Sequence, residues 1–229
     1  MEETPFKVIR TLQEGGGVLA AVRLVESERS QAILKDFSRS SWFFRSSFGA
    51  FLASCEARAY RRLEGIPGVP RLIRRVSAHG LLVEYVAGAN SREAAPDLFT
   101  QDFFDRAFQL LALVRARGVL HLDVGGNLVC GADGRPWLVD FASCATLPRG
   151  LGPFTRRLAG LRKKYDERAL LKIKRRRAPH LLRASEAEAS RVTLPLEGWA
   201  RFAERIADRT VSWMAGAFDA RARRRDRQG

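Results

Sequence analysis

Apolar residues in the first part of the chain fall in short runs separated by polar or glycine-rich breaks, the pattern of strands around one helix. Residues 6–12 form one run, and Gly15, Gly16 and Gly17 make a turn. Residues 18–25 and 31–37 predict a hairpin joined by the polar Glu26, Ser27, Glu28 and Arg29. Over 47–63 the period changes. Phe48, Phe51, Leu52, Cys55, Ala59 and Leu63 recur mostly at spacings of three and four, which predicts an amphipathic helix. Pro67 and Pro70, set among glycines, end it, because proline cannot continue the hydrogen-bond ladder. Residues 71–76 and 80–86 follow as a second predicted strand pair.

Beyond Gly88 the register shifts. A polar linker over 90–96 leads into a long helix predicted for 98–117, with Phe99, Phe103, Phe108, Leu111 and Val114 available for its buried side and Gly118 as its stop. A glycine-bearing loop runs from His121 to Asn127, followed by a strand at 128–130, a turn at 131–136 and a strand at 137–141. The remainder reads as helical and basic. It includes a later helix over 196–218, packed through Trp199, Phe202, Trp213, Met214 and Phe218, and a charged end at 221–227. Strands first and helices afterwards is an α+β order.

Composition narrows the class without choosing a function. A chain of 229 residues that is 46% hydrophobic and 28% charged can bury a sizeable core as one domain or two packed lobes. Its 40 Lys and Arg against 25 Asp and Glu leave +15, which calls for an anionic partner: nucleic acid, nucleotide or lipid headgroup. Thirteen of these cations lie between Arg149 and Arg183, against the two acids Asp166 and Glu167. Arg156, Arg157, Arg162, Lys163, Lys164 and the basic residues of 172–177 interleave with Leu158, Leu161, Leu170, Leu171 and Ile173. Such a helix can dock its apolar side on the domain, or lie at a membrane interface with its arginines toward anions; the plainer reading is a solvated helix face. Aromatics are sparse there apart from Phe154 and Tyr165, so a base-stacking platform is poorly supported, and a phosphorylated or lipid-linked acceptor fits at least as well as RNA. Cys55, Cys130 and Cys144 show no CxxC spacing, which argues against a disulfide scaffold or a cysteine zinc site. No apolar run approaches a spanning helix, and the first residues lack the basic-then-apolar order of a signal peptide. The expected location is the cytoplasm, with peripheral contact at the inner membrane through residues 156–177.

Asp123, Asn127 and Asp140 carry the strongest chemical signal. A carboxylate and an amide four positions apart precede a strand, and the hairpin after them returns Asp140 to the same sheet edge. Three oxygen-bearing side chains at one edge suit a hard cation with phosphate ligands. The alternative is an Asp-capped turn followed by a polar hairpin. Lys35 ends the apolar run Ala32, Ile33 and Leu34, and Glu56 lies on the next helix. Lys35 could place fixed positive charge beside a phosphate, while the plainer reading of the two is a strand-edge lysine and a solvated helix acid. His121 reads as a structural residue beneath its loop, and His79 and His180 make no plausible zinc set with it.

These residues together resemble the protein-kinase-like superfamily in its compact bacterial form, akin to RIO-type and lipopolysaccharide-core kinases. His121-Leu122-Asp123 resembles the catalytic-loop H-x-D, Asn127 the metal-binding amide, and Asp140-Phe141-Ala142 the D-F-G motif with alanine in place of glycine. Residues 32–35, Ala-Ile-Leu-Lys, resemble V-A-I-K. The resemblance covers residues 6–145. It implies a bilobal fold, with a small antiparallel-sheet N-lobe over 1–88 and a short, mainly helical C-lobe over 89–229. It further implies an ATP- and Mg²⁺-dependent kinase acting on a protein Ser/Thr hydroxyl or a lipopolysaccharide-core sugar. In that reading Asp123 orients the acceptor, Asn127 and Asp140 hold metal, and Lys35, positioned by Glu56, contacts phosphates. Glu84 and Val86 sit at the hinge, and Gly15, Gly16 and Gly17 near the phosphates. Three departures stand out. Asp123 and Asn127 are four apart where the H-R-D-L-x-x-x-N pattern has five, residues 15–17 do not spell G-x-G-x-x-G, and no A-P-E segment follows Asp140. The competing reading is an inactive kinase-like scaffold or a basic nucleic-acid-binding module.

Overall fold

The computed structural model describes residues 6–15, 20–27, 30–38, 49–146 and 153–191, with side chains left undescribed over 153–163. The chain divides into two units, Met1–Arg191 and Val192–Gly229. The second lies outside the described residues, and with it the predicted helix at 196–218 and its aromatic side.

Five antiparallel strands form the first sheet: β1 (Lys7–Gln13), β2 (Ala21–Ser27), β3 (Ser30–Asp36), β4 (Leu72–Arg75) and β5 (Gly80–Glu84), in the order β1-β2-β3-β5-β4. β3 is central, so Lys35 is flanked by Val22 on β2 and Leu81 on β5. One edge strand, β1, is exposed along its whole length, including Val8, Ile9 and Leu12. Its apolar run reflects strand propensity more than burial.

Helix α1 (Ala50–Arg62) lies between β3 and β4 in the chain. Its buried face is Ala53, Glu56, Ala57, Ala59 and Tyr60, while Phe51, expected inside, is 58% exposed. The helix is rotated from the face its larger apolar residues suggested. Small alanines allow close approach to the sheet, and that orientation carries Glu56 inward. Helix α2 (Gln101–Ala116) starts where Thr100 accepts the Phe103 N–H, and buries Phe103, Phe104, Ala107, Leu110, Leu111 and Val114. Gly118, at φ +72°, takes the left-handed backbone that follows the helix end.

Two small sheets follow. β6 (Gly88–Asn90), β8 (Leu128–Gly131) and β9 (Pro136–Leu138) form one, and β7 (Val119–Leu120) pairs with β10 (Ala145–Thr146) in the other. Helix α3 (Pro153–Arg177) and the short α4 (Ala184–Arg191) complete the described chain. One core cluster runs from Tyr60 and Leu81 through Phe103, Phe104 and Phe141 to Leu170 and Ile173.

The basic helix differs from its sequence reading. Within α3, Asp166, Arg168, Leu170, Leu171, Ile173 and Lys174 are buried. Lys174 is fully buried, pairs with Glu186 of α4 at 2.8 Å, and lies 5.8 Å from the Phe104 ring. Arg175 donates to Ser190 Oγ, and Arg177 donates to the Ala94 carbonyl and stacks over Phe99. Arg176 stays exposed. Much of this half of the charge run therefore joins elements of the fold. No helix among the described residues is long and apolar enough to cross a membrane.

Candidate active site

Lys35 leaves β3 toward α1 and is 6% exposed. Its Nζ donates to Glu56 Oε1 at 2.7 Å and to Asp140 Oδ1 at 2.6 Å, joining residues 21 and 105 positions away. A strand-edge lysine and a solvated helix acid are thereby excluded, since Glu56 is fully buried. Burial alone would lower the Lys35 pKa, but the two carboxylates outweigh it and hold it above the ordinary value. Burial pushes the Glu56 carboxyl up against the opposing Lys35 charge. Glu56 Oε2 is buried with no hydrogen-bond partner. Burial would raise Asp140 as well; Lys35 and the Ala142 N–H overcome it and hold the carboxyl below its ordinary value.

The loop before β8 folds into a single helical turn, Val124–Asn127. Four residues is close to the helical repeat, so the short Asp123–Asn127 interval lays one side chain over the other. Asn127 Nδ2 donates to the Asp123 carbonyl at 2.9 Å and to its Oδ2 at 3.0 Å. A carbonyl can only accept, so the amide orientation is fixed and Asn127 Oδ1 is left as a free acceptor. The conformation this loop requires is unusual: Leu122 at φ +67° and Asp140 at φ +61° are both left-handed non-glycine residues.

Four buried residues brace it. His121 Nε2 donates to the Val139 carbonyl at 2.9 Å, leaving Nδ1 to accept the Asp123 N–H at 3.3 Å. Burial lowers the His121 pKa, consistent with this neutral tautomer and with a structural role. Phe141 packs edge-on between His121 and Tyr60, at ring distances of 4.7 and 5.1 Å, and Tyr60 Oη accepts the Asp140 N–H at 3.3 Å. Asp166 of α3 accepts the N–H groups of His121 and Leu122. Sequence reasoning missed Tyr60 and Asp166. Tyr60 is one helical turn beyond Glu56, and Asp166 is an acid inside a basic run.

A cleft of about 470 Å³ opens over these groups. Lys35, Asp140, Asn127, Glu84 and Val86 line it, with Leu12, Val22, Ile33, Val83 and Val129 supplying apolar walls. Glu84 Oε2 also accepts the Arg71 N–H at 2.9 Å. Gly15 is not among the lining residues; its missing Cβ would come within 2.8 Å of the Ala21 nitrogen, so it serves the close turn between β1 and β2. Gly16 and Gly17 lie outside the described residues. Asp123 is exposed beside the cleft.

Among the described residues no three His, Cys, Asp or Glu side chains group as a metal cluster. The donor set nevertheless suits a hard cation shared with phosphate. Lys35 and the Ala142 N–H both fall on Asp140 Oδ1, leaving Oδ2, and Asn127 keeps its Oδ1. Two protein oxygens with remaining positions for phosphate and water is a usual Mg²⁺ environment.

No protein-family model matches the chain, and no curated protein does. Among solved structures it is similar to the Rio2 kinase from Chaetomium thermophilum, with a TM-score of 0.58 and 18% identity, over 80% of this chain. It spans 62% of that kinase's length. The chain has a protein-kinase-like fold, with an N-terminal sheet and a C-terminal helical region.

Proposed function

We propose that the protein is an ATP- and Mg²⁺-dependent phosphotransferase that transfers the γ-phosphoryl group to a hydroxyl of a protein Ser/Thr or a lipopolysaccharide-core-type sugar. The observation that carries this reading is the meeting of Lys35, Glu56 and Asp140 within 2.7 Å contacts at the floor of a cleft that Asn127 also lines. Glu56 orients the buried ammonium, and a divalent cation on Asp140 would offset the excess negative charge and free Lys35 for the phosphates.

Residues 1–88 form the nucleotide-binding lobe in this reading, and 89–229 the lobe that carries the catalytic loop. The apolar cleft walls take the nucleotide base, with Glu84 and Val86 at the hinge, and Gly15, Gly16 and Gly17 are assigned to phosphate contact by the family resemblance alone. Lys35 contacts the phosphates and Glu56 positions Lys35. Asp140 and Asn127 would hold Mg²⁺, which neutralises charge developing on the transferred group. Asp123 accepts the proton of the acceptor hydroxyl and orients its oxygen for attack; Asn127 Nδ2 fixes that carboxylate at 3.0 Å. Anionic surfaces, including a membrane, remain partners for the exposed part of the basic segment.

Calorimetric titration of ATP with and without Mg²⁺, followed by phosphate transfer to candidate acceptors, tests the reading. Mg²⁺-dependent ATP binding is expected. A protein that binds no nucleotide in either condition is instead a scaffold that keeps the fold.

A further inference from the structure

Beside the Asp123 carboxylate stands a cation that the roles above leave unused. Arg92 follows β6 and is exposed, and its guanidinium forms no ion pair among the described residues. It is not free to wander from the loop. Asn90 Oδ1 accepts the Arg92 N–H at 2.9 Å, and Asn90 Nδ2 donates to the Gly126 carbonyl at 2.6 Å. The Ser91 N–H donates to the Leu128 carbonyl at 2.8 Å, on the far side of the same turn. One short segment is thus pinned to the C-terminal end of the turn that carries Asp123 and Asn127.

The space between these groups is kept open by a glycine. A Cβ on Gly126 would lie 3.3 Å from Arg92 Nη2, and 3.5 and 3.6 Å from the two carboxylate oxygens of Asp123. A cation and the candidate base therefore flank one methyl-sized gap. Neither Arg92 nor Asp123 lines the cleft assigned to the nucleotide, so the gap lies to the acceptor's side of the site. The turn itself, residues 123–127, contains no Lys or Arg, which leaves Arg92 as the positive group brought here by the fold.

We propose that Arg92 is a specificity-determining residue, selecting an acceptor sugar that carries an anionic group, phosphate or carboxylate, close to the hydroxyl presented to Asp123. The inference rests on the phosphotransferase reading and deepens it. A guanidinium binds either anion through paired N–H donors, and an acceptor lacking the anion would forgo those charge-assisted hydrogen bonds. The bond formed remains the acceptor oxygen to γ-phosphorus bond, the bond broken is the one to the β-phosphate oxygen, and the acceptor proton passes to Asp123. Arg92 takes no proton.

The test uses the full chain with Mg²⁺ and a non-hydrolysable ATP analogue, titrated with glucose, glucose 6-phosphate and glucuronate. At least one anionic sugar is expected to bind about tenfold tighter than glucose, a difference of about 1.4 kcal/mol. Arg92→Gln is expected to erase that preference and Arg92→Lys to retain part of it, with analogue affinity unchanged in both. Preference for the phosphate alone, or for the carboxylate alone, identifies which anion is read. Equal binding of all three sugars to the wild type, or a preference that survives Arg92→Gln, overturns the assignment of Arg92 while analogue binding leaves the phosphotransferase reading standing. Failure of the wild type to bind the analogue overturns both.

Discussion

Asp166 holds Leu122 in a left-handed backbone conformation from 44 residues away in sequence: its Oδ1 accepts the Leu122 N–H at 3.0 Å, with Leu122 at φ +67°. Its other oxygen accepts the His121 N–H at 3.2 Å. A leucine at positive φ costs on the order of 1–3 kcal/mol and persists only where the surroundings enforce it. Two hydrogen bonds from one buried carboxylate supply that enforcement, and they set the direction in which Asp123 leaves the backbone.

Asp166→Asn tests this directly. An amide retains one accepting oxygen, so one of the two N–H groups loses its partner, at a cost of about 1–3 kcal/mol. Hydrogen exchange should quicken at residues 121–123 and the melting temperature should fall. Unchanged exchange there would show that the loop is held by His121 and Phe141 without Asp166.

Removing Lys35 should destabilise the fold even without nucleotide. Lys35→Ala leaves Glu56 fully buried beside Asp140 with no cation, and breaking a buried pair from one side costs about 3–5 kcal/mol. Glu56→Gln should be milder, because the amide can still accept from Lys35. Denaturant unfolding of both variants and the double variant gives the coupling; additive effects would contradict a direct pair.

Metal holding and acceptor activation should separate by residue. Asp140→Asn is expected to weaken Mg²⁺-ATP binding, whereas Asp123→Asn should leave binding intact and lower transfer by about 10²–10⁴-fold. The readouts are ATP affinity and turnover for each variant. Normal turnover by Asp123→Asn would remove it from the role of base.

Stability should decline in alkali from about pH 9. Burial pushes the Cys144 thiol up to about 12 and Tyr60 well above its ordinary value; the carboxylates around Lys35, outweighing burial, hold that ammonium up as well. In each case the unfolded chain loses the proton first, so it binds fewer protons than the native state and unfolding becomes easier as pH rises. Cys144 opens this window together with Cys130, whose thiol is pushed up to about 11 by burial, because both start from the lowest ordinary value, 9.0. Cys144→Ala should therefore flatten the earliest part of the decline, read as unfolding free energy at successive pH values. An identical profile would place the effect elsewhere.

The basic helix should divide into structural and surface cations. Lys174→Ala removes a fully buried ammonium that pairs with Glu186, so a loss of several kcal/mol is expected. Arg176→Ala, at an exposed position, should stay within about 0.5 kcal/mol of wild type. If the exposed cations meet an anionic surface, Arg176→Ala should also weaken sedimentation with anionic vesicles and reduce its salt dependence. Equal melting temperatures for the two variants would contradict the buried pairing.

Local rules in the sequence determined β1 to β5, α1, α2, β8 and β9 in order, because periods of two and of three to four register which faces can be buried; β6, β7 and the turn at 124–127 are too short to carry such a period. Residue types also marked Lys35, Asp123, Asn127 and Asp140, since lone charges at the ends of apolar runs and carboxylates beside glycine turns are unusual without a use; Glu56 was reached only through the family resemblance. Tertiary structure decided which charges meet. Lys35 and Asp140 are 105 residues apart and touch at 2.6 Å, a distance no local pattern encodes. It decided the rotation of α1, where small alanines at the sheet and a buried Glu56 prevailed over Phe51. It also turned part of the cationic run in α3 inward, because Glu186 and the Phe104 and Phe99 rings offset the burial of Lys174 and Arg177. A sequence reports the charge of a residue, but whether that charge faces solvent, a ligand or a partner in the fold depends on groups brought near it from elsewhere in the chain.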